Sequence, residues 1–427
     1  MSRDRGIDGL RAYAIGGVVL GHWLVTALVL TPAGTLTQAS PLASMPALVP
    51  VTWLLQTLGL FFFTGGYASA RSLDSSRPDN DARGGYRLWY GRRLGRLVGP
   101  VGVLLGCWGG VLAVAVVGGV PVGTLRTVAT LVVSPLWFLL PFVALALLTR
   151  PLRGALRRVG VLGVVLPAVV LVAVVDLTGR VRPGGVPGWV VPLGVVAAWL
   201  VPYAIGVALA GGEPRDRRTG TRLVVGGVAG MAALVLVAGY PASAVGVPGA
   251  GRSNLDPPSL FTVCLALAQV GCALLLRPGL ARLLERPRWS TPVLAVNGAA
   301  MSVYLWHQTA LVTVTVLGAR LSGGAALTGL HTVPDRPLWV VARLAWLPLF
   351  ATVLALLVSR RPDRPARSQR PRGQAVQGGY GPDDRRNSSQ RGAGVRSLRS
   401  GPVRQVEVIA VRSSDPPSRG RAARQSR

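Results

Sequence analysis

Three residues near the start of the chain, Asp8, Arg11 and His22, have the types and spacing for anion and proton chemistry. At 100° per residue, the eleven steps from Arg11 to His22 end about 20° past three full turns, so on a helix the two share one face. The rise between them is about 16 Å at 1.5 Å per residue. Asp8 lies one turn before Arg11, within pairing reach. An imidazole inside an apolar helix is costly unless it meets a polar cavity or a partner, so a functional role is the default for His22. Burial favours the uncharged ring, the form a general base requires. The bland alternative is an imidazole bonded to a backbone carbonyl of a neighbouring helix.

Three further groups carry polar or aromatic chemistry. Phe61-Phe62-Phe63-Thr64-Gly65-Gly66-Tyr67 places aromatics before two glycines, which let backbone and ligand approach closely. Read alone, it serves equally well as aromatic packing at a helix end. Arg92, Arg93 and Arg96 are spaced along a helical face and suit bidentate clamping of phosphates, although sorting of positive charge to one side of a membrane explains them too. Asn297, Ser302, Tyr304 and His307 fall in one apolar stretch, with Tyr304 and His307 three apart and neighbouring on one face.

The elements that must position these residues are membrane helices. The 427 residues are half hydrophobic and only 15% charged, with mean hydropathy +0.46. A soluble domain carries nearer a quarter charged residues. That composition excludes a water-soluble enzyme. Cys107, Cys264 and Cys272 lie in separate apolar runs, which excludes a disulfide scaffold and leaves them as packing residues. Charge-free intervals predict ten spans, near 13–30, 48–70, 98–118, 127–148, 159–177, 189–210, 223–241, 259–277, 293–318 and 337–358. Helix is required because an isolated strand leaves its backbone unpaired in lipid, and the short alternating segments of a barrel are missing. The fold expected is an all-α polytopic bundle.

Every one of the 46 basic residues is arginine, and the formal net charge is +30. With the N-terminus in the cytoplasm, 39 arginines fall on the cytoplasmic side and six, including Arg126, Arg180 and Arg252, on the other. That asymmetry predicts a plasma-membrane protein with both termini cytoplasmic. Trp53, Trp189, Trp289 and Trp339 fall at predicted span ends, where amphipathic rings settle. Asp176 and Arg343 lie near outer ends and are expected to snorkel, and His331 in an outer loop to be solvated. The first apolar run is too long for a signal-peptide core and contains a histidine, so no cleavage is expected. Residues 359–427 hold 17 arginines and five acids with almost no aromatics. They read as a disordered cytoplasmic tail attracted to anionic lipid, with no specific nucleic-acid partner, beyond a membrane domain of residues 1–358.

Together these stretches make the chain resemble membrane-bound acyltransferase family 3 over roughly residues 5–358. The resemblance rests on Gly6-Ile7-Asp8-Gly9-Leu10-Arg11-Ala12, the spacing to His22, the aromatic–Gly-Tyr element at 61–67 and the Arg93/Arg96 pair. Leu136-Trp137-Phe138-Leu139 and Tyr304-Leu305-Trp306-His307 add to it. It implies a ten-helix bundle that moves an acyl group from a cytoplasmic donor, typically acetyl-CoA, to a hydroxyl of an envelope glycan or related compound. It further implies that Arg11 and His22 are the essential pair, that Arg93 and Arg96 lie near the donor, and that no cofactor or metal is permanently held. Gly65 departs from the serine usual before the Gly-Tyr, so no hydroxyl role is assigned there. No hydrolase-like domain is appended, so the membrane unit is expected to act alone or with a separate partner.

The mechanism expected is a polar pore in which the arginines hold the phosphates of acyl-CoA. Its pantetheine arm then reaches upward to His22, acting as base or transient acyl carrier, with Arg92, Tyr67, Asn297, Tyr304 and His307 as further binding residues. The alternative is a secondary transporter or flippase, although no carboxylate sits mid-span as coupling usually requires.

Overall fold

The computed structural model describes residues 3–75, 82–182, 184–212 and 216–359. The side chains of 82–88 and Arg92, and the whole of 360–427, fall outside that description. The Arg92 and tail expectations therefore lie outside the described residues.

The described residues are 77% helical with almost no sheet. It opens with α1 (Arg5–Val25), whose N-terminal amides are capped by Asp4 accepting from Ile7 N at 3.1 Å. A two-stranded hairpin follows, β1 (Ala27–Leu30) against β2 (Leu36–Ala39), then the short helices α2 (Pro41–Ser44) and α3 (Val49–Leu55). Next come α4 (Leu58–Asp74), α5 (Ala82–Val117), α6 (Val122–Val133), a 3-10 turn at Ser134–Phe138, and α7 (Leu139–Leu147). The remainder is α8 (Thr149–Val181), α9 (Val190–Ala210), α10 (Arg217–Leu236), α11 (Leu260–Leu283), α12 (Pro287–Gly298), α13 (Ala300–Leu321) and α14 (Pro337–Ser359).

Among the described residues, nine helical stretches are long and apolar enough to cross a membrane. α1 is not one of the nine. It is as long, at 21 residues, but carries Arg5, Asp8 and Arg11 in its first two turns. With α1 there are ten candidate crossings among the described residues, an even number that would bring Ser359 back to the side of Asp4. The side of Asp4 is called near below, and the side of Thr26 far.

Several predicted boundaries are corrected. The first span is 5–25 rather than 13–30, because the chain past Thr26 pairs as a hairpin instead of continuing as helix. The second breaks at Gln56-Thr57, the fourth at Ser134–Phe138 and the ninth at Ala299. Each break exposes backbone polar groups that must find partners away from water. At the first, Gln269 of α11 donates to Trp53 O at 2.9 Å and Gln56 O at 2.8 Å, while Thr57 Oγ1 donates to Ala14 O at 2.7 Å. α8 kinks at Gly160, whose φ of 70° lies in the left-handed region that glycine tolerates.

α9 is apolar all round and accordingly central, packed between α4, α8 and α11. Its crossing with α4 depends on two glycines. A Cβ at Gly66 would lie 2.2 Å from Tyr203 O, and one at Gly206 would lie 2.0 Å from Phe63 O. Small residues at such crossings let helix backbones touch, which is how helices associate where lipid offers no hydrophobic drive. On the near side, ion pairs join Asp4 to Arg277 at 2.5 Å and Asp74 to Arg153.

Candidate functional site

His22 occupies the last turn of α1, nearer the far end than the midplane expected from the sequence, because the helix begins eight residues earlier than predicted. Its ring faces His307 of α13 with centroids 5.0 Å apart. His22 Nδ1 lies 3.1 Å from the amide nitrogen of Gln308. His307 is fully buried, and its Nδ1 donates to Tyr304 O at 2.5 Å. That bond fixes the His307 tautomer, so its Nε2 is a bare lone pair, with no partner among the described residues. Trp23 Nε1 donates to His307 O at 2.9 Å, tying the two helices together. Tyr304 gives its hydroxyl proton to Pro135 O, a carbonyl presented by the 3-10 turn between α6 and α7.

Gln308 escaped the sequence reading, and its position sets the chemistry of His22. With the amide nitrogen on Nδ1, the His22 proton sits on Nε2. With the amide turned over, Nδ1 donates to the amide oxygen and Nε2 becomes a bare base. Gln308 Oε1 has no partner among the described residues, so the turn breaks no bond of that oxygen. The available signal was an amide inside an apolar span, costly in lipid unless partnered.

His22 also lines a cavity of about 410 Å³. Its walls come from the second half of α1, the segment 38–58, the Pro135–Phe138 turn, the loop at 245–255 and the start of α14. All of these lie on the far side or at the breaks. The space at His22 opens among far-side elements.

The near side holds a second cluster. Arg93 donates to Ser69 Oγ at 2.5 Å, and its guanidinium lies 5.3 Å from the Trp89 ring and 5.9 Å from that of Phe142. Tyr203 hydrogen-bonds Ser69 and shares a 2.7 Å bond with Thr149 Oγ1. Arg96 and Arg11 both lie within Coulombic reach of Arg93. Arg11 is half-buried and makes no hydrogen bond or ion pair with any described residue. Asp8 lies within Coulombic reach of Arg11 and also accepts a hydrogen bond from Arg3 Nε at 2.6 Å.

Between the clusters the interior is filled by rings. Phe142 contacts Phe61 at 5.2 Å, Phe61 contacts Phe138 at 5.2 Å, Phe138 contacts Tyr304 at 4.5 Å, and Tyr304 contacts His307 at 5.7 Å. With Arg93 at one end and His22 at the other, the chain of contacts joins the two sites. Gly65 belongs to this column, since a Cβ there would lie 2.6 Å from the Phe142 ring. The absence of a side chain at 65 leaves room for that ring.

Other predicted residues separate from these clusters. Asn297 sits on α12, away from His307, and donates to Asp8 O at 2.8 Å, with its own oxygen unpartnered among the described residues. Tyr67 hydrogen-bonds the Asp4 carboxylate beside Arg277. Both hold the near end of α1. Three expectations of solvation are corrected. His331 is fully buried, accepting from Leu327 N at 3.2 Å and donating from Nε2 to Thr315 O at 2.8 Å. Asp176 accepts from Tyr240 Oη at 2.8 Å and from Leu260 N at 2.9 Å, capping α11. Arg343 is fully buried instead of snorkelling. Trp339 is likewise buried, while Trp189 and Trp289 are exposed as expected. Cys107 and Cys272 are exposed, so only Cys264 among the cysteines is partly packed.

A family model described as an acyltransferase domain matches residues 4–359. That span runs from the cap of α1 to the last residue of α14, so both clusters lie inside it. The chain belongs to membrane acyltransferase family 3. Neither a curated protein nor a solved structure matches it. Within the acyltransferase match, the His22 cluster joins the first and thirteenth helices, from opposite ends of the domain, whereas Arg11 and Arg93 of the arginine cluster come from the first and fifth.

Proposed function

We propose that this membrane acyltransferase moves an acyl group, typically acetyl, from acyl-CoA on the cytoplasmic side to a hydroxyl of a carbohydrate or related compound at the cell envelope. In this reading the near side is cytoplasmic and the membrane is the plasma membrane, in keeping with the arginine asymmetry. The observation that carries it is His22, a ring with one nitrogen held by Gln308 and a cavity at its edge.

The donor's phosphates meet the near-side arginines. Arg11 makes no hydrogen bond to a described residue, although Asp8 lies within Coulombic reach, and a fork of N–H donors matches phosphate geometry. The pantetheine arm spans the distance to His22, about 16 Å along α1. Phe142, Phe61 and Phe138 stand in the direct line, so these rings swing aside to admit it. At the far end the acceptor hydroxyl attacks the thioester carbonyl. With the Gln308 amide turned so that its oxygen accepts from Nδ1, His22 Nε2 takes the hydroxyl proton as the C–O bond forms, then returns it to the departing thiolate as the C–S bond breaks. The products are an ester and free CoA thiol. A positioned base of this kind contributes about 10²–10⁴-fold.

Steady-state kinetics with acetyl-CoA test the donor assignment. Arg11→Ala is expected to raise KM for acetyl-CoA about 10- to 100-fold, the loss of one or two hydrogen bonds to a charged group. The apparent Tm changes little, because Arg11 has no hydrogen bond to a described residue to lose. A lowered kcat at constant KM would assign Arg11 to charge stabilisation in place of donor binding.

A further inference from the structure

The cavity beside His22 has a chemistry of its own. None of its lining side chains is Asp, Glu, Arg or Lys, and eighteen of the twenty-eight lining residues are apolar. Eight carry a hydroxyl, amide or imidazole. Four of those are already committed to backbone: Ser40 accepts from Leu42 N at 3.3 Å, Thr52 donates to Val49 O at 2.6 Å, Thr57 donates to Ala14 O at 2.7 Å, and Tyr304 donates to Pro135 O. Little remains to receive a ligand's polar groups. His22 is one such group. Gln56, at the break before α4, is another, and its buried amide nitrogen has no partner among the described residues.

A polyhydroxyl sugar chain is a poor match to these walls. Each hydroxyl taken from water without a new partner costs about 1–3 kcal/mol, and this lining leaves four polar side chains to supply partners: His22, Gln56, Thr26 and Gln38. A hydrocarbon or fused-ring body gains about 25 cal/mol per Å² it buries there. The volume of about 410 Å³ is in the range of small-molecule sites, about 300–1,000 Å³. The phosphates of CoA find no partner in this space, whose lining offers them no cation.

Building on the acyl-transfer reading, we propose that this cavity takes the acceptor, an amphipathic alcohol. Its apolar body lies against Val51, Leu55, Trp137 and Leu344, and its reacting hydroxyl is presented to His22. Gln56 hydrogen-bonds a second oxygen of the same molecule. The acceptor arrives from the far side or laterally from lipid, and the ester leaves by the same route.

The test uses membranes of cells carrying the full chain, incubated with acetyl-CoA labelled in the acetyl group and partitioned between butanol and water. His22→Ala and His22→Gln membranes, matched for protein amount, give the background. The expected result is His22-dependent label in the butanol phase, in excess of the aqueous and insoluble fractions by at least tenfold. His22-dependent label mainly in the aqueous or insoluble polysaccharide fraction overturns the amphipathic acceptor while leaving acyl transfer standing. No His22-dependent label in any fraction overturns the acyl-transfer reading itself.

Discussion

His22→Ala is expected to lower acyl transfer by about 10²–10⁴-fold while leaving the protein folded and at its normal level in the membrane. The loss is large because His22 is the imidazole on the cavity wall, and a bare ring nitrogen is what a hydroxyl needs to lose its proton there. The fold survives because the ring is only partly buried and makes one side-chain bond, 3.1 Å from Gln308. Once the ring is gone, the Gln308 amide borders a cavity and is free to turn. Release of CoA thiol, measured at saturating acetyl-CoA beside a melting curve, reads both quantities. A His22→Ala protein with normal turnover removes the base from the mechanism.

Arg343→Leu produces the opposite pattern, a loss of stability first and of activity as a consequence. The Arg343 guanidinium is fully buried and donates to Trp23 O at 2.7 Å, Thr26 O at 2.5 Å and Gly329 O at 3.0 Å. It also lies over Phe350 at 4.8 Å and beside Trp339 at 5.4 Å. Trp23 and Thr26 supply two of the carbonyls that the end of α1 leaves without helical partners, and a cation there also opposes the negative end of the helix dipole. Leucine fills much of the volume but satisfies none of the three oxygens. Each orphaned carbonyl costs about 1–3 kcal/mol, so a total of about 3–5 kcal/mol is expected after partial relaxation. That corresponds to a fall in apparent Tm on the order of 10 °C in detergent. Lysine has the charge without the fork and recovers only part of this. Because His22 precedes Trp23, the residual folded Arg343→Leu protein also turns over more slowly. An unchanged melting curve would mean that the α1 terminus is held by other contacts.

The residues differ in how far they could be read before folding. α9 and α14 lie within a residue of their predicted limits, since long charge-free intervals bounded by arginine leave the chain few ways to cross. The breaks were hidden. Pro135 marks one of them, yet Pro167, Pro202 and Pro348 lie inside continuous helices, so proline alone does not separate a break from a tolerated kink. What decides is whether a partner such as Gln269 or Tyr304 reaches the freed carbonyl, and that is a tertiary property. His22 and His307 were both visible as polar residues in apolar spans, but their meeting requires α1 to lie on α13, 286 positions away for the Gln308 contact. Arg343, His331 and Asp176 show the same limit from the other side. A charged or polar residue near a span end has the same sequence signature whether it reaches water or turns inward to cap a helix.

In the acyl-transfer reading a thioester is cleaved at His22 and its acyl group transferred, with nothing carried across the membrane intact. The most direct measurement places purified protein in sealed vesicles made from lipid extract of the source membrane, with acetyl-labelled acetyl-CoA supplied to the face bearing Asp4. Free CoA thiol appearing in step with labelled ester, and neither appearing with His22→Ala, is the result predicted. Labelled acetyl-CoA recovered intact inside the vesicles, with no thiol released, would contradict it and identify a transporter.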